Sequence, residues 1–219
     1  MINIKNIYDA RFTTYERILK NELWEILCRD YMQKFVQSDD KVVDVGAGHC
    51  EFINNIKAGE RIAVDVNSDC RKFASKNVKV IISSIKQLKK IFTVNSVDIV
   101  FMSNLLEHLD NKEDVFRLLS ESYEVLKKGG KLLVMQPDIS LVGHEYWDYF
   151  DHKVPITSSS LVEVLKAIGY KIYHLHNPFL PYTTKTRFLP LWPLLLRLYI
   201  KLPFLHPLFG KQFFVVAQK

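Results

Sequence analysis

At 219 residues, 48% of them hydrophobic, the chain is long enough for one α/β domain with a full core plus one sizeable excursion, and too apolar for disorder. Its three cysteines, Cys28, Cys50 and Cys70, are odd in number and lack CxxC spacing, which argues against a disulfide framework or a zinc site; no signal peptide and no apolar run of spanning length is seen, so a cytoplasmic location is expected. The net charge of +6 is uneven: residues 153–219 hold nine Lys or Arg against one acid, a basic character suited to anionic membrane, nucleic acid or a phosphorylated substrate.

Residues 3–12 read as irregular, with Tyr8 and Arg11 as notable side chains. Thr13-Thr14-Tyr15-Glu16 has capping-box spacing. Ile18, Leu19, Leu23, Trp24, Ile26, Leu27, Tyr31 and Phe35 then predict an amphipathic helix to about residue 36, packed on a sheet or closing over a ligand. The β-branched run at 42–45 predicts a buried strand leading into Gly46-Ala47-Gly48, and Phe52, Ile53 and Ile56 follow at helical spacing over 50–58. Gly46 and Gly48 tolerate positive φ and let a ligand lie against the main chain at the helix start. A nucleotide-like ligand is the expectation, with Asp44 accepting hydrogen bonds from a cationic group.

A second strand at 61–66 carries Asp65, 17 residues beyond Gly48, the separation at which a carboxylate meets a ribose diol. The competing reading of Asp65 is a local cap in the turn Asp65-Val66-Asn67-Ser68. A short helix over 69–76 and a third strand at 78–82 precede Ser83-Ser84-Ile85, where a polar and an apolar side chain would hold an adenine. A fourth strand, 96–102, runs into Ser103-Asn104; a helix over 112–126 stops at Lys127-Lys128-Gly129-Gly130, and a fifth strand covers 131–135. Strand and helix have alternated five times, which predicts a parallel, doubly wound sheet with ligands at the carboxyl ends of its strands, where Gly46, Asp65, Ser84, Asn104 and Asp138 fall.

Val43-Asp44-Val45-Gly46-Ala47-Gly48, Asp65, the stretch 97–109 and the LKxGGxLxV pattern of 126–134 together resemble the class I S-adenosylmethionine-dependent methyltransferases over residues 40–175. The resemblance implies a Rossmann-like, seven-stranded sheet, mostly parallel with an antiparallel last strand. It also implies S-adenosylmethionine as cofactor, S-adenosylhomocysteine as product, and a cofactor site of Asp44, Gly46, Ala47, Gly48, Asp65, Val66, Ser84, Ile85 and Asn104. Gly46-Ala47-Gly48-His49-Cys50-Glu51-Phe52, Ser103-Asn104-Leu105-Leu106-Glu107-His108-Leu109, Tyr146-Trp147-Asp148-Tyr149-Phe150-Asp151-His152 and Phe179-Leu180-Pro181-Tyr182-Thr183 resemble a small bacterial branch of that family linked with surface-polysaccharide or glycolipid pathways. Cys50 departs from the family's third glycine and Ser84 from its adenine-contacting acid. In a GxGxxG dehydrogenase loop the third glycine would fall at residue 51, which is Glu, and metal-dependent O-methyltransferases carry an acid where Asn104 stands, so no metal is expected.

Transfer from a sulfonium to a hydroxyl needs alignment and a proton acceptor. Residues 138–157 are dense in suitable groups: His152 is the first choice for the base and His144 the second, with Asp148 or Asp151 to orient either ring, against the alternative that both histidines only satisfy loop backbone. Tyr8, Arg11, Tyr146, Tyr149 and Tyr182 are candidates for contact with a small-molecule or glycan acceptor. Glu107-His108 reads as an ordinary helix start. A helix through residue 167, a sixth strand at 170–175 and a seventh at 212–217, the latter as antiparallel edge, complete the sheet. Residues 177–211 form a basic, apolar, proline-rich insertion whose longest helix, between prolines 193 and 203, cannot span a bilayer. It is read as a cap or homodimer surface, or as a peripheral membrane contact; nucleic acid is disfavoured because its cations alternate with leucine. The reading weighed against an enzyme is a cofactor-binding protein that holds a partner through this surface.

Overall fold

The computed structural model describes residues 14–182 and 193–219; Tyr8, Arg11 and residues 183–192 of the insertion lie outside the described residues. Helix α1 (Thr14–Asp30) leads through a 3-10 turn, Met32–Phe35, to β1 (Lys41–Val45), α2 (Glu51–Asn55), β2 (Glu60–Asp65), α3 (Cys70–Phe73), β3 (Lys79–Ile82), α4 (Leu88–Ile91) and β4 (Val97–Ser103). Then come α5 (Lys112–Val125), β5 (Leu126–Pro137), α6 (Ile139–Val142), α7 (Ser158–Ile168), β6 (Lys171–His176), α8 (Pro193–Lys201), α9 (His206–Phe209) and β7 (Gln212–Gln218). The seven strands form one sheet in the order β3-β2-β1-β4-β5-β7-β6. The first five are parallel, and β7 runs antiparallel to both β5 and β6.

Period-2 alternation divides the core between the two faces of this sheet. Val42, Phe101, Leu133, Phe214 and Val216 join Leu23, Leu27 and Phe52 on one side; Val43, Val45, Val100, Val134, Phe213 and Val215 join Leu118, Leu119 and Leu165 on the other. Strands buried on both faces need unbroken apolar runs, which is why β1, β4 and β7 lack polar alternation. On the α1 side Phe52 stacks on Phe101 at 3.7 Å and Trp24 meets both rings edge-on.

Several boundaries and one strand placement differ from the sequence reading; the helices expected over 50–58 and 69–76 cover only Glu51–Asn55 and Cys70–Phe73. The first helix ends six residues early because Tyr31 leaves helical φ/ψ, turning its ring toward β6. Strand β5 starts at Leu126, with a shift of register against β4 between Val97 and Ile99 that Gly129, at φ +81°, absorbs. The last strand is not the edge: β7 lies between β5 and β6, and β6 is the exposed border. Its alternation of exposed and part-buried residues suits an edge.

The insertion packs back on α1. Leu196 and Tyr199 of α8 are buried in the same cluster as Leu23 and Leu27, the Tyr199 hydroxyl donates to the Phe179 carbonyl, and Arg197 pairs with Asp30 at 3.1 Å. Among the described residues no helix is long and apolar enough to cross a membrane.

Candidate active site

Strand order reverses between β1 and β4, and the loops leaving these two strands part there to open a crevice. The β1 loop is held by backbone bonds from Gly46 and Ala47 to the Val64 carbonyl at 2.8 and 3.3 Å. A Cβ on Gly46 would lie 2.6 Å from Leu105 Cδ1, so this glycine lets the two loops approach; a Cβ on Gly48 would meet no protein atom within 4 Å. Both have positive φ, and Cys50, at φ +62°, takes a left-handed conformation as the residue before α2. Its thiol packs 3.3 Å from that of Cys70, so Cys50 ties the loop to α3.

Three carboxyl groups gather round this loop. Asp44 is buried at 3% exposure. Burial, followed by the charges of Glu51, Cys70 and Asp65, pushes its carboxyl well above the usual range, so it awaits a cation. Burial also opposes ionisation of Glu51, but Lys20 at 2.9 Å and His49 outweigh it and hold that carboxyl down at about 2. Asp65 accepts from the Gly48 N–H at 2.8 Å through Oδ2 and from the Asn67 N–H at 2.7 Å through Oδ1. The local-cap reading of Asp65 is therefore realised, while each oxygen retains a further lone pair for a ligand hydroxyl. A sulfonium with an α-ammonium group fits this chemistry: a buried carboxyl to neutralise, clear space beside Gly48, and the Asn104 Oδ1, buried with no hydrogen-bond partner.

One cavity runs from the glycine loop past Asn104 to the far side of α1 and the insertion. Asp44, Gly46, Ala47, Gly48 and Asn104 line its inner end; Tyr149, His152 and Tyr182 line its outer end. Asp65 reaches it through the Gly48 amide. Val66, at 65% exposure, and the exposed Ser84 stand outside it, and Ile85 is packed into the core on the other sheet face.

Two further candidates are not brought to the site. His144 is exposed on a 3-10 helix, Gly143–Asp148, outside the cavity. Tyr146 is fully buried and donates its hydroxyl to the Val154 carbonyl, so it braces the loop instead of facing an acceptor. Asp138 is likewise scaffold, accepting from Ser140, Ser158 and Asn177. Asp151, expected to orient His144 or His152, holds His108 Nδ1 at 3.2 Å.

Lys20, Trp24, Glu51, Glu107, His108 and Gln212 also line the cavity, and sequence reasoning did not place them there. Glu107 is 1% exposed; its carboxylate accepts from Gln136 Nε2 and lies 4.0 Å from His108 Nε2. His108 meets His152 edge-on at 4.9 Å, and His152 stacks on Tyr149 at 5.0 Å. Burial pushes both Glu107 and His108 toward their neutral forms, but the hydrogen bond to Asp151 and the charges of Glu107 and Asp151 raise His108 overall. The available signal was in two places at once: an acid opening the turn after β4 and a glutamine ending β5, on adjacent strands.

A glycine loop after β1, an acid at the end of β2 and an antiparallel β7 inserted beside β5 define the class I fold of S-adenosylmethionine-dependent methyltransferases. Residues 43–134 match the family model described as a methyltransferase domain. A SAM-dependent methyltransferase from Archaeoglobus fulgidus shares the fold at a TM-score of 0.68 and 23% identity, over 94% of this chain and 98% of that one. The uncharacterized protein MJ1123 of Methanocaldococcus jannaschii is 28% identical over 174 residues, 75% of this chain and 77% of its own length. Ribosomal protein L11 methyltransferase of Bacillus subtilis is 28% identical over 130 residues, 55% of this chain but 38% of that protein.

Proposed function

We propose that the chain methylates a hydroxyl oxygen of a saccharide or glycolipid precursor. The observation that carries this reading is the polarity of this cavity: carboxyl groups surround the glycine loop at one end, and imidazole and phenol rings line the other. When bound, S-adenosylmethionine supplies a methyl on a positively charged sulfur, which leaves as a neutral thioether when the carbon–sulfur bond breaks. Asp44, the Gly46-Ala47-Gly48 backbone and Asn104 hold the amino-acid end, and Asp65 takes the ribose hydroxyls. Tyr149 and Tyr182 offer ring faces and hydroxyls to a sugar. His152 draws the proton from the acceptor hydroxyl as the oxygen–methyl bond forms. The acceptor-side imidazole and aromatic rings support an oxygen acceptor, and the resemblance of residues 146–152 supports a glycan one.

The basic C-terminal third and the exposed apolar side chains of the insertion support a peripheral contact with anionic membrane at its cytoplasmic face, where a lipid-linked acceptor would be met. Methyl transfer from labelled S-adenosylmethionine to a panel of nucleotide sugars and lipid-linked glycans tests the acceptor class. Wild type should label at least one member; His152→Ala should bind S-adenosylhomocysteine like wild type and lose roughly 100-fold or more in kcat. Labelling of amines alone, or full kcat in His152→Ala at every pH, would remove the assignment.

A further inference from the structure

The turn Leu106–His108 and the loop carrying His152 are clamped together more firmly than an acceptor pocket requires. The Glu107 carbonyl accepts from the Lys153 and Val154 amides at 2.8 and 3.1 Å. His108 Nδ1 lies 3.2 Å from both an Asp151 carboxylate oxygen and the Asp151 carbonyl. Both partners are acceptors, so Nδ1 carries a proton and Nε2 is the nitrogen left to face a ligand. Nε2 lies 4.0 Å from Glu107 Oε1, and Glu107 is itself fixed by Gln136. One ligand atom from each of Glu107, His108 and His152 lies within 4.8 Å of the others.

We propose that Glu107, His108 and His152 bind a divalent transition-metal cation at the acceptor end of the cavity, with open positions for two adjacent oxygens of the acceptor. Two imidazoles and one carboxylate favour zinc, manganese, iron or cobalt over magnesium or calcium, whose preferred ligands are all oxygen. Shells of two kinds are already in place. Asp151 orients His108 and Gln136 orients Glu107, the carboxylate and amide partners that fix metal ligands elsewhere. Charge also balances: a +2 ion offsets Glu107 and Asp151 with both rings neutral. Ligand separations of 4 to 5 Å exceed those in a closed coordination sphere, so the rings must draw in by about 1 Å when the ion binds. Asn104, the residue whose lack of charge argued against a metal, is one turn earlier, and its buried Oδ1 has no hydrogen-bond partner.

The inference rests on reading this end of the cavity as the acceptor site, and it changes the role of His152 there from base to ligand. A bound cation would polarise the acceptor oxygen and lower its pKa, so that His152 serves as a ligand and the proton passes to solvent water.

The test uses the full chain, stripped with chelator and dialysed. Titration with Co2+ should give a visible absorption band and with Zn2+ a one-to-one heat. Glu107→Gln and His108→Ala should each lose at least tenfold in affinity, and Asp151→Asn roughly tenfold through the oriented ring. S-adenosylhomocysteine binding measured on the same variants checks that they are folded. Absence of both band and heat in wild type, or equal metal affinity in folded Glu107→Gln, overturns the metal site. Undiminished methyl transfer after chelation would also overturn it and leave the acceptor assignment standing; metal binding without any labelled glycan would do the reverse.

Discussion

At the scale of single residues, the two glycines of the loop serve different masters. Gly46 is small because Leu105 leaves no room, whereas Gly48 faces open space. Gly46→Ala should therefore destabilise the fold by about 1–3 kcal/mol, as overpacking does. Gly48→Ala meets no protein atom and carries only the strain of φ +51°, on the order of 1 kcal/mol, yet its methyl enters the cofactor's path. Thermal melts and calorimetry with S-adenosylhomocysteine separate the two: the first variant should lose Tm, and the second should lose roughly tenfold or more in affinity with a smaller change in Tm. Equal losses in both measurements for both variants would show that the loop acts as one unit. Motif spacing made Asp44, Gly46, Gly48 and Asn104 legible because the backbone demand is local. Glu107 and His108 were not legible, because their meaning depends on Gln136 and Asp151, which only the register of β4 with β5 and the clamped loop bring near.

At the scale of elements, α1, β6 and the insertion are joined by a directed chain of hydrogen bonds. His206 Nε2 meets the Tyr199 carbonyl at 2.9 Å and must donate, so His206 Nδ1 accepts from His176 Nε2–H. His176 Nδ1 then accepts from the Tyr31 hydroxyl at 2.8 Å, which leaves His174 Nε2–H to donate to Tyr31 at 2.9 Å. Every ring is neutral in this arrangement. Burial and then the neighbouring His206, His174 and Lys34 lower the His176 pKa to about 4 from 6.5. A base whose folded pKa is depressed stabilises nothing by protonation: its contribution is complete above pH 6.5 and is lost as pH falls toward 4, while the unfolded chain takes up the proton first. Melts across that window should show Tm falling with pH, and His176→Asn should lower Tm at neutral pH while flattening the slope. A slope unchanged in the variant would assign the acid sensitivity to other groups. This chain was not legible in the sequence, since Tyr31 lies 143 and 145 positions from His174 and His176, and His176 lies 30 from His206.

At the scale of the whole molecule, alternation of strands and helices sufficed for the parallel half of the sheet, because each βαβ unit has one favourable hand. The place of β7 was open to reading too: its run Gln-Phe-Phe-Val-Val-Ala-Gln is buried on both faces, as an interior strand must be, and the polar histidines of β6 mark the edge. What neither rule reaches is the outer side of the insertion. Its inner residues, Leu196 and Tyr199, are buried, but Leu194, Phe204 and Leu208 are 66%, 69% and 71% exposed. Full insertion of such a side chain into lipid is worth about 1.5–3 kcal/mol, and each nearby Lys adds about 1 kcal/mol on an anionic surface. Phe204 and Leu208 together with Lys201 are thus enough for reversible binding to acidic vesicles and too little for binding to neutral ones. Flotation should carry the wild-type chain up with anionic liposomes at low salt and release it at high salt. Phe204→Ser with Leu208→Ser should stay at the bottom of the gradient while methylating a water-soluble acceptor at the wild-type rate. If the double variant floats, the apolar contact is wrong; if wild type sediments as a dimer that the same substitutions dissociate, those side chains meet a second copy of the chain and the membrane reading gives way to it.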